Sequence, residues 1–415
     1  MDGIASSITS PARGASLSSH HTARGIWSLG SPSTSQLSGI SRRHCERLPR
    51  TQQKAFDAGS QPEQAAVGSN RRQVAASLLG ALVLSASSSR RARAAPLSNG
   101  GKVALITGAN TGIGKATAAG LARSGEYSKI FLAGHNPEKH AKAIQELQAM
   151  TPKSGTAFQY LPLELSSLQS VREAAAQFRS MGTPLHTLIC NAAVMALPER
   201  RVTSDNYEYQ MEVNYLSHFL LINLLLPELI ASGTEADPAR VISVSSSAHF
   251  VRSPLGFGDV QDLNLSGGEG DKYAYYPWTA YGQSKLAQVL STYELAKRLQ
   301  KRGLPVTANV LDPGFVDTEL QRNLPAAAPS SVMSFIAKTP DQGAETTLTL
   351  ATSKAGKESG KYWADSAAAL SLGKGKSPFP LNKELAVEGT TSYDEEVWRS
   401  LWAESCRLVG LQESI

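Results

Sequence analysis

The chain has 415 residues, and 41 Lys and Arg against 35 Asp and Glu give it a net charge of +6. Residues 1–95 hold twelve of the bases and only four of the acids, so the rest of the chain carries a charge of −2. The basic balance therefore gives no reason to expect nucleic-acid binding by the rest of the chain. Cys45, Cys190 and Cys406 stand at unrelated spacings, which argues against a bound metal and against a disulfide framework.

Residues 1–95 have the composition of a targeting presequence. The first 70 residues are rich in Ser and Arg, poor in acids and free of hydrophobic periodicity, which is typical of a disordered transit peptide. Arg71-Arg72 then precede the apolar run 74–86 and an Ala-x-Ala site at 92–94, as in a twin-arginine signal. The run is shorter than the ~20 residues that cross a bilayer, so we predict no transmembrane span.

The two signals in tandem resemble the bipartite presequence of thylakoid-lumen proteins. The chain is therefore expected in the chloroplast, in the thylakoid lumen or the stroma. The alternative is one long transit peptide with an accidental apolar stretch.

Residues 96–415 are predicted to form one α/β domain. Continuous apolar strands alternate with amphipathic helices, which indicates a doubly wound parallel sheet of Rossmann type, covered on both faces. The segment 251–278 is rich in Gly, Tyr and Ser and predicts a long loop. The predicted strands are 103–107, 129–133, 158–163, 185–190, 241–245 and 306–311, and the predicted helices are 114–124, 138–150, 167–181, 209–230 and 281–301.

A glycine-rich turn follows the first strand and opens the first helix, with glycines at Gly108, Gly112 and Gly114. Glycines allow a tight turn and a close backbone approach, and a helix N-terminus offers free N–H groups and partial positive charge. This strand–turn–helix context predicts a pyrophosphate site for a dinucleotide.

Tyr281 and Lys285 are four residues apart and share one face of a predicted helix. A tyrosine with its ordinary pKa near 10 is a poor proton donor or acceptor at neutral pH. A lysine ammonium ~4 Å away favours the phenolate by ~4 kcal/mol at an effective dielectric of ~20. The pair is therefore expected to lower the pKa of Tyr281 and make it a general acid for a carbonyl oxygen.

Five motifs occur in the order and rough spacing of the short-chain dehydrogenase/reductases, over about residues 102–370. Within that family the chain resembles the retinol-dehydrogenase-like branch, and 189–194 and 397–411 are also similar to the light-dependent protochlorophyllide reductases. The five motifs are 107–114, Asn191-Ala192-Ala193, Ser245-Ser246, Tyr281-x3-Lys285 and Pro313-Gly314.

The resemblance implies a role for each matching residue. Ser246, rather than its neighbours Ser245 and Ser247, would polarise the substrate carbonyl, Tyr281 would transfer the proton, and Lys285 would also hold the nicotinamide ribose. Asn214 would support a relay water; the alternative is a satisfied polar residue within a helix. The cofactor would lie against Gly108, Asn110, Thr111, Gly112, Ile113, Gly114, His135, Glu164, Leu165, Asn191, Ala192, Ala193, Tyr281, Lys285, Pro313, Gly314, Val316 and Thr318.

The end of the second strand departs from the family pattern. NAD users carry an acid there and NADP users an arginine, whereas this chain has Gly134-His135-Asn136. The missing acid favours NADP(H), with NAD(H) as the alternative. Glu164 replaces the aspartate that contacts adenine, and Ala193 replaces a glycine.

The aromatic residues of 251–278 bear on the substrate. Tyr273, Tyr275, Tyr276 and Trp278 are expected to cover a bulky hydrophobic carbonyl or alcohol as a lid, or else to pin a surface loop. Trp363, Trp398 and Trp402 are expected to pack a C-terminal subdomain.

Three functions remain open from the sequence. The first is an NADP(H)-dependent carbonyl or alcohol oxidoreductase, the second is a light-dependent reductase of a protochlorophyllide C=C bond, and the third is a nicotinamide-binding redox sensor without turnover. The expected partner is a small hydrophobic molecule, and similar proteins often form a homodimer through helix faces.

Overall fold

Seven parallel strands form the centre of the fold, in the order β3-β2-β1-β4-β5-β6-β7. The computed structural model describes residues 100–251, 253–255, 258–318, 320, 337–364 and 394–413, so the predicted presequence lies outside the described residues. The strands are β1 Lys102–Thr107, β2 Tyr127–Gly134, β3 Ala157–Pro162, β4 Thr187–Cys190, β5 Ala239–Val244, β6 Val306–Leu311 and β7 Tyr362–Trp363.

Helices connect the strands and cover both faces of the sheet. The fourth is interrupted by a π-helical turn, Glu212–Leu216, in which the Ser217 N–H donates to the Glu212 carbonyl. The helices are α1 Gly112–Ser124, α2 Pro137–Met150, α3 Leu168–Ser180, α4 Tyr209–Ser232, α5 Pro277–Lys301, α6 Pro340–Thr352 and α7 Glu395–Leu408.

The predicted doubly wound fold is confirmed, and all six predicted strands and five predicted helices occur. Three further elements, β7, α6 and α7, follow the last predicted strand. Strand β7 has only two residues, too few for a periodic signal. Helix α6 did have a signal that prediction could have used, because Thr339 and Gln342 form a reciprocal capping box at its start.

The strands send alternate side chains into two cores. Leu105 belongs to the core that includes Leu220 and Leu290, from α4 and α5. Its neighbour Ile106 belongs to the core on the other face, with Leu121 from α1. A sheet buried on both faces explains why its strands are apolar throughout.

Helix α7 packs on the same domain and does not form the expected C-terminal subdomain. Trp402 is 1% exposed and meets Phe219 of α4 edge-on, with ring centroids 4.8 Å apart. Trp398 lies against Tyr293 of α5. Trp363 belongs to the central sheet itself, in β7.

Helix α4 is long and apolar enough, by length and composition alone, to cross a membrane, and 56% of its most apolar stretch is buried in the fold. Core helices meet the same criterion, and Leu220 and Leu225 of α4 have no exposed surface. The lack of a transmembrane span stays a prediction.

Parallel strands place all their carboxyl ends at one edge of the sheet. Strands β1 and β4 are adjacent although β2 and β3 lie between them in sequence, so the chain changes direction at this point. Ligands of doubly wound sheets bind in the crevice at such a switch point. The loops after β1 to β6 meet at this edge.

Candidate active site

The glycine turn packs closely against its neighbours. Gly108 and Gly112 have positive φ angles of 66° and 54°. A Cβ on Gly108 would approach Ala192 to 2.9 Å, and one on Gly114 would approach the Gly108 carbonyl oxygen to 2.4 Å. Thr111 precedes α1 without a side-chain cap, so the first N–H groups of the helix stay available to an anion. The turn therefore fits a dinucleotide pyrophosphate.

Asn191 and Thr107 join the ends of β4 and β1. The Asn191 side chain donates a 2.9 Å hydrogen bond to the Thr107 carbonyl. The Thr107 hydroxyl accepts hydrogen bonds from the main-chain N–H groups of Asn191 and Ala192, at 2.9 and 3.0 Å. These bonds hold the floor of the crevice.

His135 and Glu164 lie at the other end of the crevice, after β2 and β3. The Nδ1 atom of His135 is 3.9 Å from a carboxylate oxygen of Glu164, whose other oxygen accepts from the N–H and the hydroxyl of Ser166. Lys139, in the first turn of α2, also lines the crevice and was not predicted from the sequence.

Three consecutive serines follow β5, and their surroundings differ. The Ser245 hydroxyl is buried and donates to the Lys285 main-chain carbonyl at 2.9 Å. Ser245 and Ser246 both line the crevice, whereas Ser247 is exposed, and the Ser246 side chain acts to lower the pKa of Tyr281. The choice of Ser246 as the catalytic serine stays a prediction.

Tyr281 and Lys285 both line the crevice, but their electrostatics differ from the expectation. Burial raises the pKa of Tyr281, Asp312 adds to this effect, and the hydrogen bond with Ser246 opposes it. The Lys285 ammonium lies 5.7 Å from the centre of the Tyr281 ring and donates to the Val244 carbonyl at 2.9 Å. The expected lowering of the Tyr281 pKa by a nearby ammonium is wrong for this arrangement.

Burial also lowers the pKa of Lys285, to about 7, while Asp312 and Cys190 oppose the change. A strongly perturbed lysine in a crevice marks a candidate functional site.

Asn214 lies within the π-helical turn of α4 and has no exposed surface. Its side chain accepts from the Val194 N–H at 2.8 Å and donates to the Val194 carbonyl at 3.0 Å and to the Ser284 hydroxyl at 2.9 Å. The side chain thus joins α4 to the loop after β4 and to α5, and it does not line the crevice. The relay role stays a prediction.

The loop after β6 closes the crevice opposite the glycine turn. Gly314 has a φ of 79°, and a Cβ there would lie 2.6 Å from the Lys338 ammonium. Lys338 donates to the Pro313 carbonyl at 2.9 Å. A Cβ on Gly112 would approach Thr318 to 3.1 Å, so this loop and the glycine turn are in near contact.

The crevice has a volume of about 380 Å³. All the predicted cofactor residues line it except Gly114, which packs beneath the turn. Within the part of the chain that the structure describes, no group of three His, Cys, Asp or Glu side chains could hold a metal ion. Residues that line the crevice and were not predicted are Ala133, Gly134, Asn136, Lys139, His140, Leu163, Val194, Met195, Tyr209, Val213, Val244, Ser245, Phe315 and Leu320.

The described residues of 251–278 divide the predicted lid aromatics into two pairs. The Tyr273 hydroxyl donates to Asp259 at 2.6 Å, and the Tyr275 hydroxyl donates to the Leu197 carbonyl at 2.7 Å, so both pin the segment. Tyr276 and Trp278 are instead 55% and 43% exposed.

Comparison with known proteins agrees with this geometry. Residues 102–257 match the short chain dehydrogenase family. Polyprenol dehydrogenase of Mus musculus is 39% identical over 317 residues, which cover 75% of this chain and 84% of that protein. Retinol dehydrogenase 13 of Homo sapiens is 39% identical over 320 residues, with 75% and 86% covered.

Solved structures share the fold. An uncharacterized protein from Mycobacterium Paratuberculosis has a TM-score of 0.55 and 28% identity, covering 76% of this chain and 96% of its own. The Pseudomonas aeruginosa RhlG/NADP active-site complex has a TM-score of 0.50 and 27% identity, covering 64% and 95%. The chain therefore belongs to the short-chain dehydrogenases and is an NAD(P)-dependent oxidoreductase.

Proposed function

We propose that this enzyme is an NADP(H)-dependent oxidoreductase that interconverts the alcohol and carbonyl forms of a bulky hydrophobic substrate, with Ser246, Tyr281 and Lys285 as catalytic residues. The observation that carries the proposal is that Ser246, Tyr281 and Lys285 line the same crevice as the glycine turn, with Lys285 one helical turn after Tyr281 on α5. These three groups are those that proton transfer to a carbonyl oxygen requires.

Ser246 and Tyr281 would both donate hydrogen bonds to the substrate oxygen. During carbonyl reduction Tyr281 gives its proton to that oxygen, and during alcohol oxidation it takes the proton back. Lys285 stabilises the phenolate that reduction leaves behind and holds the ribose of the dinucleotide. The bound nicotinamide supplies or accepts the hydride. The crevice would position both reactants for the transfer.

The residues at the end of β2 support NADP(H) over NAD(H) as the cofactor. This strand end presents His135 and Asn136 where NAD users carry an acid. Lys139, the third residue of α2, lines the crevice and adds a positive charge there. RhlG, whose structure is similar, was solved with NADP.

The surroundings of Tyr281 support an apolar substrate. Tyr281 packs in a small apolar cluster with Met195 and Ala196, and Leu320 lies against that cluster. The exposed rings of Trp278 and Phe315 stand near this end of the crevice. Two of the similar proteins are named for polyprenol and retinol, which are long apolar alcohols.

The Tyr281→Phe variant tests the chemistry. With NADP and a set of prenyl and retinoid alcohols, the wild-type protein should form NADPH, and the variant should lose at least a hundredfold in kcat while binding NADPH with unchanged Kd. Equal turnover by wild type and variant would refute the proposal. If neither protein turns over any alcohol, and cells that carry the variant behave like cells that carry the wild type, the result supports the redox sensor instead.

The light-dependent C=C reductase is the second candidate. The similarity of 397–411 favours it, although this stretch packs through Trp402 against the outer side of α4 and α5 and does not line the crevice. Activity that requires illumination would support it, and equal activity in darkness would exclude it.

We also propose that residues 1–95 direct the chain to the chloroplast, on the composition of those residues alone. N-terminal sequencing of the mature protein decides between the two forms of this proposal. A start near Ala95 supports processing in the thylakoid lumen, and a start well upstream supports the stroma.

A further inference from the structure

Gln288 connects the catalytic lysine to the π-helical turn. It follows Lys285 by three residues on α5, and its side chain is 3% exposed. Its Oε1 atom accepts a 3.1 Å hydrogen bond from the Lys285 ammonium. Its Nε2 atom donates a 2.9 Å hydrogen bond to the main-chain carbonyl of Asn214.

We propose that Gln288 is a positioning residue for Lys285: its side-chain amide ties the Lys285 ammonium to the Asn214 carbonyl and so fixes where this positive charge stands relative to Tyr281. The inference rests on the proposed function, in which Lys285 acts on Tyr281.

The chemistry of an amide suits this position. An ammonium only donates hydrogen bonds and a main-chain carbonyl only accepts them, so the group between them must accept at one end and donate at the other. Gln does both without a charge. An apolar side chain would leave the buried Lys285 ammonium with one acceptor fewer, which is costly because water does not replace it.

The Asn214 carbonyl extends this chain of hydrogen bonds toward the crevice floor. It also accepts from Nδ1 of His218 at 2.9 Å. Because a carbonyl cannot donate, Nδ1 holds the proton, and Nε2 accepts from the Thr107 hydroxyl at 2.9 Å. Thr107 in turn binds the N–H groups of Asn191 and Ala192 on the crevice floor. Gln288 thus links Lys285 to the loop against which the cofactor would lie.

The titratable groups around Lys285 act on it from a distance. Asp312 after β6 favours the ammonium, and the Cys190 thiol of β4, the neutral His218 of α4 and Tyr281 of α5 also lie around it. Among the described residues, the hydrogen bonds of the ammonium go to two neutral oxygens, those of Val244 and Gln288. Loss of either oxygen should therefore favour the uncharged amine.

The Gln288→Met variant tests the inference, because methionine keeps the length of the side chain and removes both hydrogen bonds. The readout is acetylation of Lys285 by acetic anhydride across a pH series, followed by mass spectrometry of its peptide. Only the uncharged amine reacts, so the midpoint of the curve reports the Lys285 pKa. We expect the midpoint to fall by about one pH unit and kcat/KM at neutral pH to fall about tenfold.

Gln283→Met is the matched control. Gln283 is on the same helix, has no exposed surface, and bonds to the Leu263 carbonyl and the Leu255 N–H. Gln283→Met should lose about as much thermal stability as Gln288→Met, but the midpoint of Lys285 acetylation should stay at the wild-type pH. An unchanged midpoint in Gln288→Met, or an equal shift in both variants, would overturn the proposal and leave Gln288 a purely structural residue.

Gln288→Glu gives a second test should the methionine variant not fold. A carboxylate beside the ammonium should raise the Lys285 midpoint by about one pH unit, opposite in sign to the methionine variant. A midpoint equal to that of wild type contradicts the proposal. Labelling does not require turnover, so loss of activity in Tyr281→Phe and the shift in Gln288→Met are judged separately.

Discussion

The indole ring of Trp278 meets the phenol ring of Tyr281 edge-on, with ring centroids 6.0 Å apart and an angle of 80° between the planes. Trp278 lies in the first turn of α5 and Tyr281 one turn later, so the same helix presents both. Because the indole is 43% exposed beside the proposed proton donor, it is available to cover an apolar substrate.

Replacing Trp278 with Ala should therefore separate large from small substrates. The loss of apolar contact, about 1–2 kcal/mol, should raise KM for a long prenyl alcohol about tenfold and for a short aliphatic alcohol less than twofold. Steady-state kinetics on both alcohols measures the difference. Trp398→Ala, on α7, is the control, and equal effects on both substrates in Trp278→Ala would exclude the covering role.

Lys139 and Lys142 offer a matched pair for cofactor preference, since both lie on α2 and only Lys139 lines the crevice. Lys139→Ala should lower kcat/KM for NADPH about tenfold, because a charge-assisted bond to the 2′-phosphate is lost. The kcat/KM for NADH should stay within about twofold of the wild-type value. Lys142→Ala should change neither, since its ammonium is exposed and 3.9 Å from Glu146. A preference of wild type for NADH would contradict the assignment.

Gly114 should not tolerate a side chain. A Cβ would lie 2.4 Å from the Gly108 carbonyl and 2.7 Å from the Asn191 amide, both of which belong to the crevice floor. Gly114→Ala should cost about 1–3 kcal/mol in the free energy of unfolding and weaken dinucleotide binding, as measured by denaturation and fluorescence titration. Gly268→Ala, where a Cβ meets nothing within 4 Å, should stay within about 0.5 kcal/mol of wild type.

The buried His218 should make stability depend on pH. Burial lowers its pKa to about 4, against an ordinary value of 6.5. Between these values the unfolded chain binds a proton that the folded protein does not, so the stabilising contribution is complete above pH 6.5 and is lost as the pH falls toward 4.

For His218 alone this difference is about 3 kcal/mol. Urea denaturation at pH 7 and pH 4.5 should show a smaller loss of stability in His218→Gln than in wild type. Identical losses of stability in wild type and His218→Gln would show that His218 has the same pKa in the folded and unfolded states. The comparison is made between variants because burial also lowers the pKa values of His140, His186 and His249.

Much of the fold was predictable because its signals are local. Six strands and five helices follow from periodicity, and the glycine turn follows from its place between β1 and α1. The elements after β6 were not predicted: β7 is too short for a pattern, and the signal for α6 was the capping box of Thr339 and Gln342 at its start.

The sequence by itself determined the family, the glycine turn and the order of the Ser, Tyr and Lys motifs, because each depends on spacing along one chain. Only the tertiary structure decided that the Ser245 hydroxyl binds the Lys285 carbonyl, where the Lys285 ammonium points and that Gln288 binds it. Those outcomes depend on groups from β5, α4 and α5 that lie 41 and 74 positions apart in the chain. Burial, and not the four-residue spacing, decides the proton affinities of Tyr281 and Lys285, since it removes the water that would stabilise their charged forms.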